Sequence, residues 1–300
     1  MRKLLALLLL AAASSFAATT VSAQQRPAIT GIAFVRFYAS DAAASASFYA
    51  KTLGFSSSKD GDITRYPVND LQWIETTPLP NPAPAARQAA VGFMTRDAGA
   101  LVQYLKAHSV EIVDPLKNGR FSVRDPEGNL IVFVQEVKGA AVPPPVPATA
   151  ASRRMIHAGF VVKDRAAEDR FYRDILGFRP YWYGGFDDTT INWVSQQVPE
   201  GSDWLEYMLN NGPSPSPKQL GSSDHISLGV EHMADAVAAL ARNGCEGPNC
   251  TAAKIGRDGK VQLNLFDPDL TRVEFMEFKP SAKPCCSEFT AAHPTAAESR

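Results

Sequence analysis

Short runs in which apolar residues alternate with small or polar ones recur from Ile29 to Phe278, separated by stretches of helical period and by turns rich in glycine and proline. Ile29 to Phe37 reads as a first strand. Ser40 or Asp41 then caps an alanine-rich helix that carries Phe48, Tyr49 and Leu53 and stops at Gly54. Strands around Ile63 to Val68 and Leu71 to Thr76 follow, and a Pro/Ala loop runs from Pro78 to Ala86. A second unit has a strand at Ala89 to Met94, a helix near Ala98 to Ala107, and strands that end after Asp125. From Lys138 to Ser152 alanine and proline dominate, a composition that favours extended chain over a core and reads as an interdomain linker. The pattern then restarts. Met155 to Val162 is a strand, and Asp164 caps a helix with Ala167, Phe171, Tyr172 and Ile175 on one face, ended by Gly177. Strands near Thr190 to Val194 and Trp204 to Leu209 complete the third unit. The fourth opens at His225, has its helix from Ala234 to Arg242 stopped by Asn243 and Gly244, and closes between Asn264 and Phe278. Beyond Lys279 the chain reads as unstructured.

The four units are two copies of a pair. Residues 41–55 lie on residues 164–178 without a gap at an offset of 123, which matches Phe48, Tyr49, Leu53, Gly54 and Phe55 with Phe171, Tyr172, Leu176, Gly177 and Phe178. The same alternation selects candidate chemistry. On the strand at Trp204, Leu205, Tyr207 and Leu209 share one face, while Glu206 and Met208 take the other. On the next, Ile226, Leu228 and Val230 oppose His225, Ser227 and Gly229. His157 and Glu274 stand likewise on their strands. His157 and Glu206 are 49 residues apart, as are His225 and Glu274. Two imidazoles and two carboxylates on faces turned from the core suit a divalent first-row metal. A single histidine in a half-buried strand is more often just hydrogen-bonded; the repetition is what singles out these four. By contrast, Glu277 lies one residue off the ligand face, His232 reads as loop, and His108 ends a helix. Tyr181, Trp182, Tyr183 and Phe186 either line a pocket or pack beneath a sheet edge.

Charge and ends refine the picture. Thirty Lys and Arg against 31 Asp and Glu leave a net charge of −1 with no basic block, which argues against nucleic acid as a partner. Arg2 and Lys3 precede an apolar run from Leu4 to Ala13, and Val21, Ser22 and Ala23 precede Gln24. This is the layout of a secretory signal, residues 1–23, too short for a retained membrane span. The mature protein is expected to begin at Gln24 and to be periplasmic or secreted. Four cysteines, Cys245, Cys250, Cys285 and Cys286, fit an oxidising compartment and allow three pairings. A staple from the tail to the 245–250 loop is favoured over a bridge between the neighbours Cys285 and Cys286. Metal binding by these thiols with His293 is the other reading.

The Phe-Tyr and Leu-Gly-Phe signature of each odd-numbered helix, with Asp-Pro followed by an acid at Asp125 and Asp267, resembles the vicinal oxygen chelate superfamily of glyoxalase I, bleomycin- and fosfomycin-resistance proteins and extradiol dioxygenases. The resemblance covers about residues 29–278 and implies an α+β fold of four βαβββ modules, paired into two cupped sheets. The expected domains are residues 29–137, a linker at 138–153, residues 154–279, and a flexible tail at 280–300. The resemblance implies His157, Glu206, His225 and Glu274 as ligands of a divalent metal (Zn, Ni, Mn or Fe), with Glu206 and Glu274 as the catalytic carboxylates. In the first domain His157 maps to Phe34, His225 to Ala90 and Glu274 to Val132, so that Glu75 alone remains and the site is degenerate. The implied activity is a glyoxalase-like isomerase or lyase acting on a small α-hydroxycarbonyl substrate. An extradiol dioxygenase using His157, His225 and Glu274 is one alternative, although Asn264 stands where that family's pattern has a tyrosine. A binding protein that sequesters a small molecule is another. A monomer or homodimer is expected, with no membrane partner once the signal is removed.

Overall fold

The computed structural model describes residues 25–136 and 146–298. The expected export signal, the start at Gln24 and the Pro-rich centre of the linker lie outside these residues. In the first half, β1 (Ile29–Ala39), β2 (Ser58–Asp60), β3 (Ile63–Pro67), β4 (Trp73–Pro78), β5 (Gln88–Thr95), β6 (Asp114–Lys117), β7 (Arg120–Arg124) and β8 (Leu130–Gln135) form one eight-stranded sheet in the order β2-β3-β4-β1-β5-β8-β7-β6. In the second half, β9 (Met155–Val161), β10 (Arg179–Gly184), β11 (Trp193–Gln197), β12 (Trp204–Met208), β13 (His225–Val230), β14 (Lys254–Ile255), β15 (Val261–Phe266) and β16 (Arg272–Glu277) repeat that order as β10-β11-β12-β9-β13-β16-β15-β14. The fold is α+β: four βαβββ modules paired into two curled sheets. The pattern of alternation showed fewer strands per module than the structure has. All four outermost strands, β2, β6, β10 and β14, are edges, where no neighbour on the far side forces burial to alternate.

Each module has its helix between the first strand and the rest. Helix α1 (Ala42–Ala46) starts on Asp41, whose carboxylate accepts the N–H groups of Ala43 and Ala44, and continues as a wider turn over Ser47–Thr52. Helix α3 (Arg165–Asp169) starts on Asp164 in the same way and widens over Arg170–Ile175. Helices α2 (Ala98–Ala107) and α5 (Met233–Arg242) serve the even modules. Helix α4 (Pro217–Ser223) was not read from the sequence; Ser216 and Gln219 close a reciprocal capping box around Pro217 at its start.

The two halves share one hydrophobic core on the helix side of both sheets. Phe93 meets Phe178 edge to face at 5.3 Å. The signature motifs meet across the halves: the Tyr49 hydroxyl donates to Asp267 Oδ2 at 3.0 Å, and the Tyr172 hydroxyl donates to Asp125 Oδ2 at 3.1 Å. Residues 146–153, at the end of the expected linker, pack against the first half. The Ala151 N–H donates to the Leu53 carbonyl at 3.0 Å, and a Cβ at Gly54, whose φ is +78°, would come within 2.1 Å of the Thr149 carbonyl oxygen. Each cup has its own smaller apolar cluster, around Phe34 in the first and around Trp204 in the second.

Two expectations are corrected. Cys245 pairs with Cys250, and Cys285 with Cys286, so no staple joins the tail to the 245–250 loop. The tail after Lys279 is packed instead of unstructured. It runs beside the edge strand β10, where the Thr290 N–H donates to the Tyr181 carbonyl at 3.0 Å and the Tyr183 N–H to Ser287 Oγ at 2.9 Å. Phe289 and Ala291 join the apolar cluster of the second cup. Scattered side chains, among them Ser287, Phe289, Thr290 and His293, and a few backbone bonds hold it, and such an arrangement leaves no periodic signal. Among the described residues no helix is long and apolar enough to cross a membrane.

Candidate metal centre

Four central strands of the second sheet bring the histidines and glutamates together. β9 and β13 are antiparallel, with His157 opposite Ser227 and His225 opposite Gly159. β12 runs parallel to β9 with Glu206 beside Gly159, and β16 runs parallel to β13 with Glu274 beside Ser227. All four side chains therefore rise from two adjacent rungs on one face. Gly159 is a steric requirement of this arrangement, because a Cβ there would lie 2.1 Å from His225 Cε1.

His157 Nε2 lies 2.9 Å from His225 Nε2 and 3.3 Å from Glu274 Oε2. His157, His225 and Glu274 each offer one ligand atom within 4.8 Å of the others, and all three are buried. Glu206 stands at the edge of this group, its Oε2 3.5 Å from His225 Nε2 and 4.0 Å from His157 Nε2. His225 Nδ1 is 2.8 Å from the Ser223 carbonyl, which can only accept, so the ring's proton sits on Nδ1 and its Nε2 lone pair points into the cup. Arg272 Nη2 approaches the same Nε2 at 2.7 Å, and Arg272 Nη1 lies 3.5 Å from Glu274 Oε1. Converging imidazole nitrogens with a buried carboxylate fit a divalent cation, and the guanidinium of Arg272 brings a positive charge to the donors of that set.

Burial dominates the electrostatics. It pushes both imidazoles well below the usual histidine range, His157 further through the charges of His225 and Arg272, and His225 further through Arg272. Both rings are neutral, the form that ligates. Burial and the neighbouring Glu274 push Glu206 up to about 8, and burial raises Glu274 against the pull of Arg272. A cation among these groups would pull both carboxyls back down.

Sequence reasoning missed Lys260. Its side chain is fully buried, and its Nζ lies 4.7 Å from the Trp204 ring, 5.2 Å from Phe289 and 5.6 Å from Tyr181. Burial pulls it down to about 8, and Nζ has no hydrogen-bond partner among the described residues. The signal was present in the chain: Lys260, Gln262 and Asn264 alternate with Val261, Leu263 and Leu265, which places three polar residues on the cup face. Of the aromatic cluster, Tyr181 and Trp182 are buried under the tail, while Phe186 is 78% exposed at the rim. A narrow cavity of about 90 Å³ between Trp182, Trp193, Glu206, Asp258, Arg272 and Glu274 leads to the group. A larger one of about 560 Å³, between residues 150–154 and α5, contains none of the four.

In the first sheet the register puts other residues on the equivalent rungs. Phe34 lies beside Trp73 and opposite Gly92, as His157 lies beside Trp204 and opposite Ser227. Ala90 faces Arg36 where His225 faces Gly159, and Val132 stands beside Gly92 where Glu274 stands beside Ser227. Glu75, the equivalent of Glu206, is buried and bonded to Arg36, Arg65 and the Trp73 indole. Although burial would raise it, those partners hold its carboxyl below the usual range.

The profile of the Glyoxalase/Bleomycin resistance protein/Dioxygenase superfamily matches residues 31–133 and again residues 154–275. Among solved structures, homoprotocatechuate 2,3-dioxygenase from Brevibacterium fuscum, in an anaerobic complex with 3,4-dihydroxyphenylacetate, aligns with a TM-score of 0.62 over 84% of this chain and 82% of that one, at 18% identity. Homoprotocatechuate 2,3-dioxygenase from Arthrobacter globiformis aligns with a TM-score of 0.62 over 86% of this chain and 83% of that one, also at 18% identity. Likeness at this identity is one of fold. No curated protein sequence matches the chain.

Proposed function

Since this chain belongs to the Glyoxalase/Bleomycin resistance protein/Dioxygenase superfamily, we propose that its second cup is a metal-dependent site that moves a proton next to a carbonyl on a small substrate with two adjacent oxygens. The observation that carries this reading is the position of Glu206: a carboxylate beside the buried His157, His225 and Glu274 group, yet at its edge and partly exposed. A divalent ion held by those three would polarise the substrate oxygens and stabilise the charge that develops as the proton leaves. Glu206 is the group to carry that proton, either free of the metal or as a fourth ligand that detaches. Arg272 has to turn away from His225 for the metal to bind, and its guanidinium remains within reach as a partner for an oxyanion. Trp182 and Trp193 line the approach, and a cavity of about 90 Å³ limits the substrate to a small molecule, well below the volume of a typical ligand pocket. We further place the protein outside the cytoplasm, which mass spectrometry of material from a native host would test; an intact Met1 would contradict it.

An extradiol dioxygenase is the second reading, favoured by the two-histidine, one-carboxylate composition of the group. Asn264 opposite Glu274 weighs against it, because an amide cannot serve as the acid or base that ring cleavage needs there. The Glu206→Gln variant separates the two. In the first reading it loses exchange of the substrate's α-proton for deuterium, followed by NMR across small α-hydroxycarbonyl compounds with Zn, Ni, Mn or Fe restored. Oxygen uptake with a catechol by the iron-loaded protein, undiminished by Glu206→Gln, would overturn that reading in favour of the second.

A further inference from the structure

The first cup has lost the metal donors, but it has not become inert packing. Its floor is the stacked pair Phe34 and Trp73, with ring centroids 5.3 Å apart. Three arginines from three strands converge on them: Arg36 on β1, Arg65 on β3 and Arg120 on β7. Arg36 and Arg65 both pair with the buried Glu75, at 2.6 Å and 3.0 Å. Arg65 also has Asp60 at 3.5 Å, but that carboxylate is 71% exposed and worth little. Arg120 is different. Its guanidinium lies over the Phe34 ring at 5.5 Å and the Trp73 ring at 5.4 Å, with no carboxylate in ion-pair range and no side-chain hydrogen bond among the described residues. Leu130, Val132 and Val134, partly buried, pack against this aromatic floor, and Arg120 is the register partner of Val134.

A guanidinium stacked on aromatic faces keeps its N–H edges free, and those edges match a carboxylate bidentately. We propose that the first cup binds a small organic carboxylate, its charged end on Arg120 and its apolar body against Val132 and Val134. Arg36 and Arg65, already engaged by Glu75, hold the floor and add attraction for an anion. Glu75 in turn keeps the three like charges from driving one another apart. The partial burial of Arg120, which disfavours its charge, is relieved when a carboxylate arrives.

The test is calorimetric titration of the full chain with benzoate, in the presence of a chelator so that no metal in the second cup can hold the carboxylate. Saturable binding of one equivalent in the low millimolar range or tighter is expected. Arg120→Gln is expected to weaken it at least about tenfold. Val132→Glu, which sets a carboxylate against Arg120 from within, is expected to abolish it. Circular dichroism checks the fold of both variants, and either one folded suffices. His225→Ala, in the other cup, is expected to leave benzoate affinity unchanged, and benzyl alcohol is expected not to compete. The proposal is overturned if benzoate does not bind, if a folded variant at position 120 or 132 binds it as the wild type does, or if His225→Ala removes the binding.

Discussion

Glu168 should make this protein lose stability as the pH rises, and replacing it with glutamine should remove its share of that loss. Its side chain is fully buried where the helix of the third module meets the turn after Asp125. Oε1 accepts the Glu127 N–H at 2.9 Å, and Oε2 has no hydrogen-bond partner among the described residues. Burial, and then the neighbouring Asp125, push the carboxyl from its ordinary 4.5 up to about 9. The folded protein therefore keeps a proton that the unfolded chain gives up near 4.5. Stability is fully present below that value and is lost as the pH climbs towards about 9. The slope is at most about 1.4 kcal/mol per pH unit, which bounds the change from pH 5 to pH 8 at about 4 kcal/mol. Hydration of the half-exposed turn at Glu127 should reduce this, and about 2 kcal/mol is expected.

Glutamine keeps an acceptor for the Glu127 N–H and places no charge beside Asp125. At pH 5 the melting temperatures of wild type and Glu168→Gln should nearly coincide. At pH 8 the variant should melt about 4–8 °C higher, given the usual shift of a few degrees per kcal/mol in a chain of this size. Differential scanning calorimetry in chelator-containing buffer reads this directly without a metal contribution. Parallel pH profiles for the two proteins, or a variant that is less stable at both pH values, would refute the assignment of a buried neutral acid at this position.

Other expected outcomes concern the cup of the second half. His225→Ala should abolish binding of divalent metal by the full chain, measured by metal analysis after dialysis. Gly159→Ala should weaken it at least about tenfold while the circular dichroism stays native, because the added Cβ collides with the His225 ring and not with the core. Arg272→Gln should raise metal affinity, seen in a competition titration, since it removes the cation that now donates to His225 Nε2. Deleting the chain after Lys279 should expose Lys260 and Tyr181, so that acylation of Lys260, followed by peptide mass spectrometry, becomes fast compared with the intact protein.

What the sequence revealed follows the physics of its strands. His157, Glu206, His225 and Glu274 sit on central strands, where one face packs on the core and the other lines the cup, so that apolar and polar residues alternate, and duplication of the module repeats their spacing. The edge strand β10, the tail that packs beside it and the pairing of Cys285 with Cys286 carry no such enforcement. Lys260 was overlooked because a polar face on a strand usually means solvent, and here it means the inside of a cup. Arg36, Arg65 and Arg120 converge from three strands with unrelated spacing, a juxtaposition that only the sheet order reveals.

The two cups differ in which residues occupy a pair of equivalent rungs. Position 159 must be glycine for the imidazole of residue 225 to lie across β9. At the equivalent rung of the first sheet, Arg36 stands opposite Ala90, and its guanidinium is bonded to Glu75 on β4. A side chain at 159 would displace His225, whereas Arg36 reaches towards Glu75. On the neighbouring rung the Phe34 ring covers Gly92, where a Cβ would come within 2.3 Å of it, while in the second sheet Ser227 faces the smaller imidazole of His157. Metal binding in the first cup would need donors at Phe34, Ala90 and Val132, the positions equivalent to His157, His225 and Glu274. Placing histidines at 34 and 90 alone should leave it metal-free, with Arg36 still bonded to Glu75.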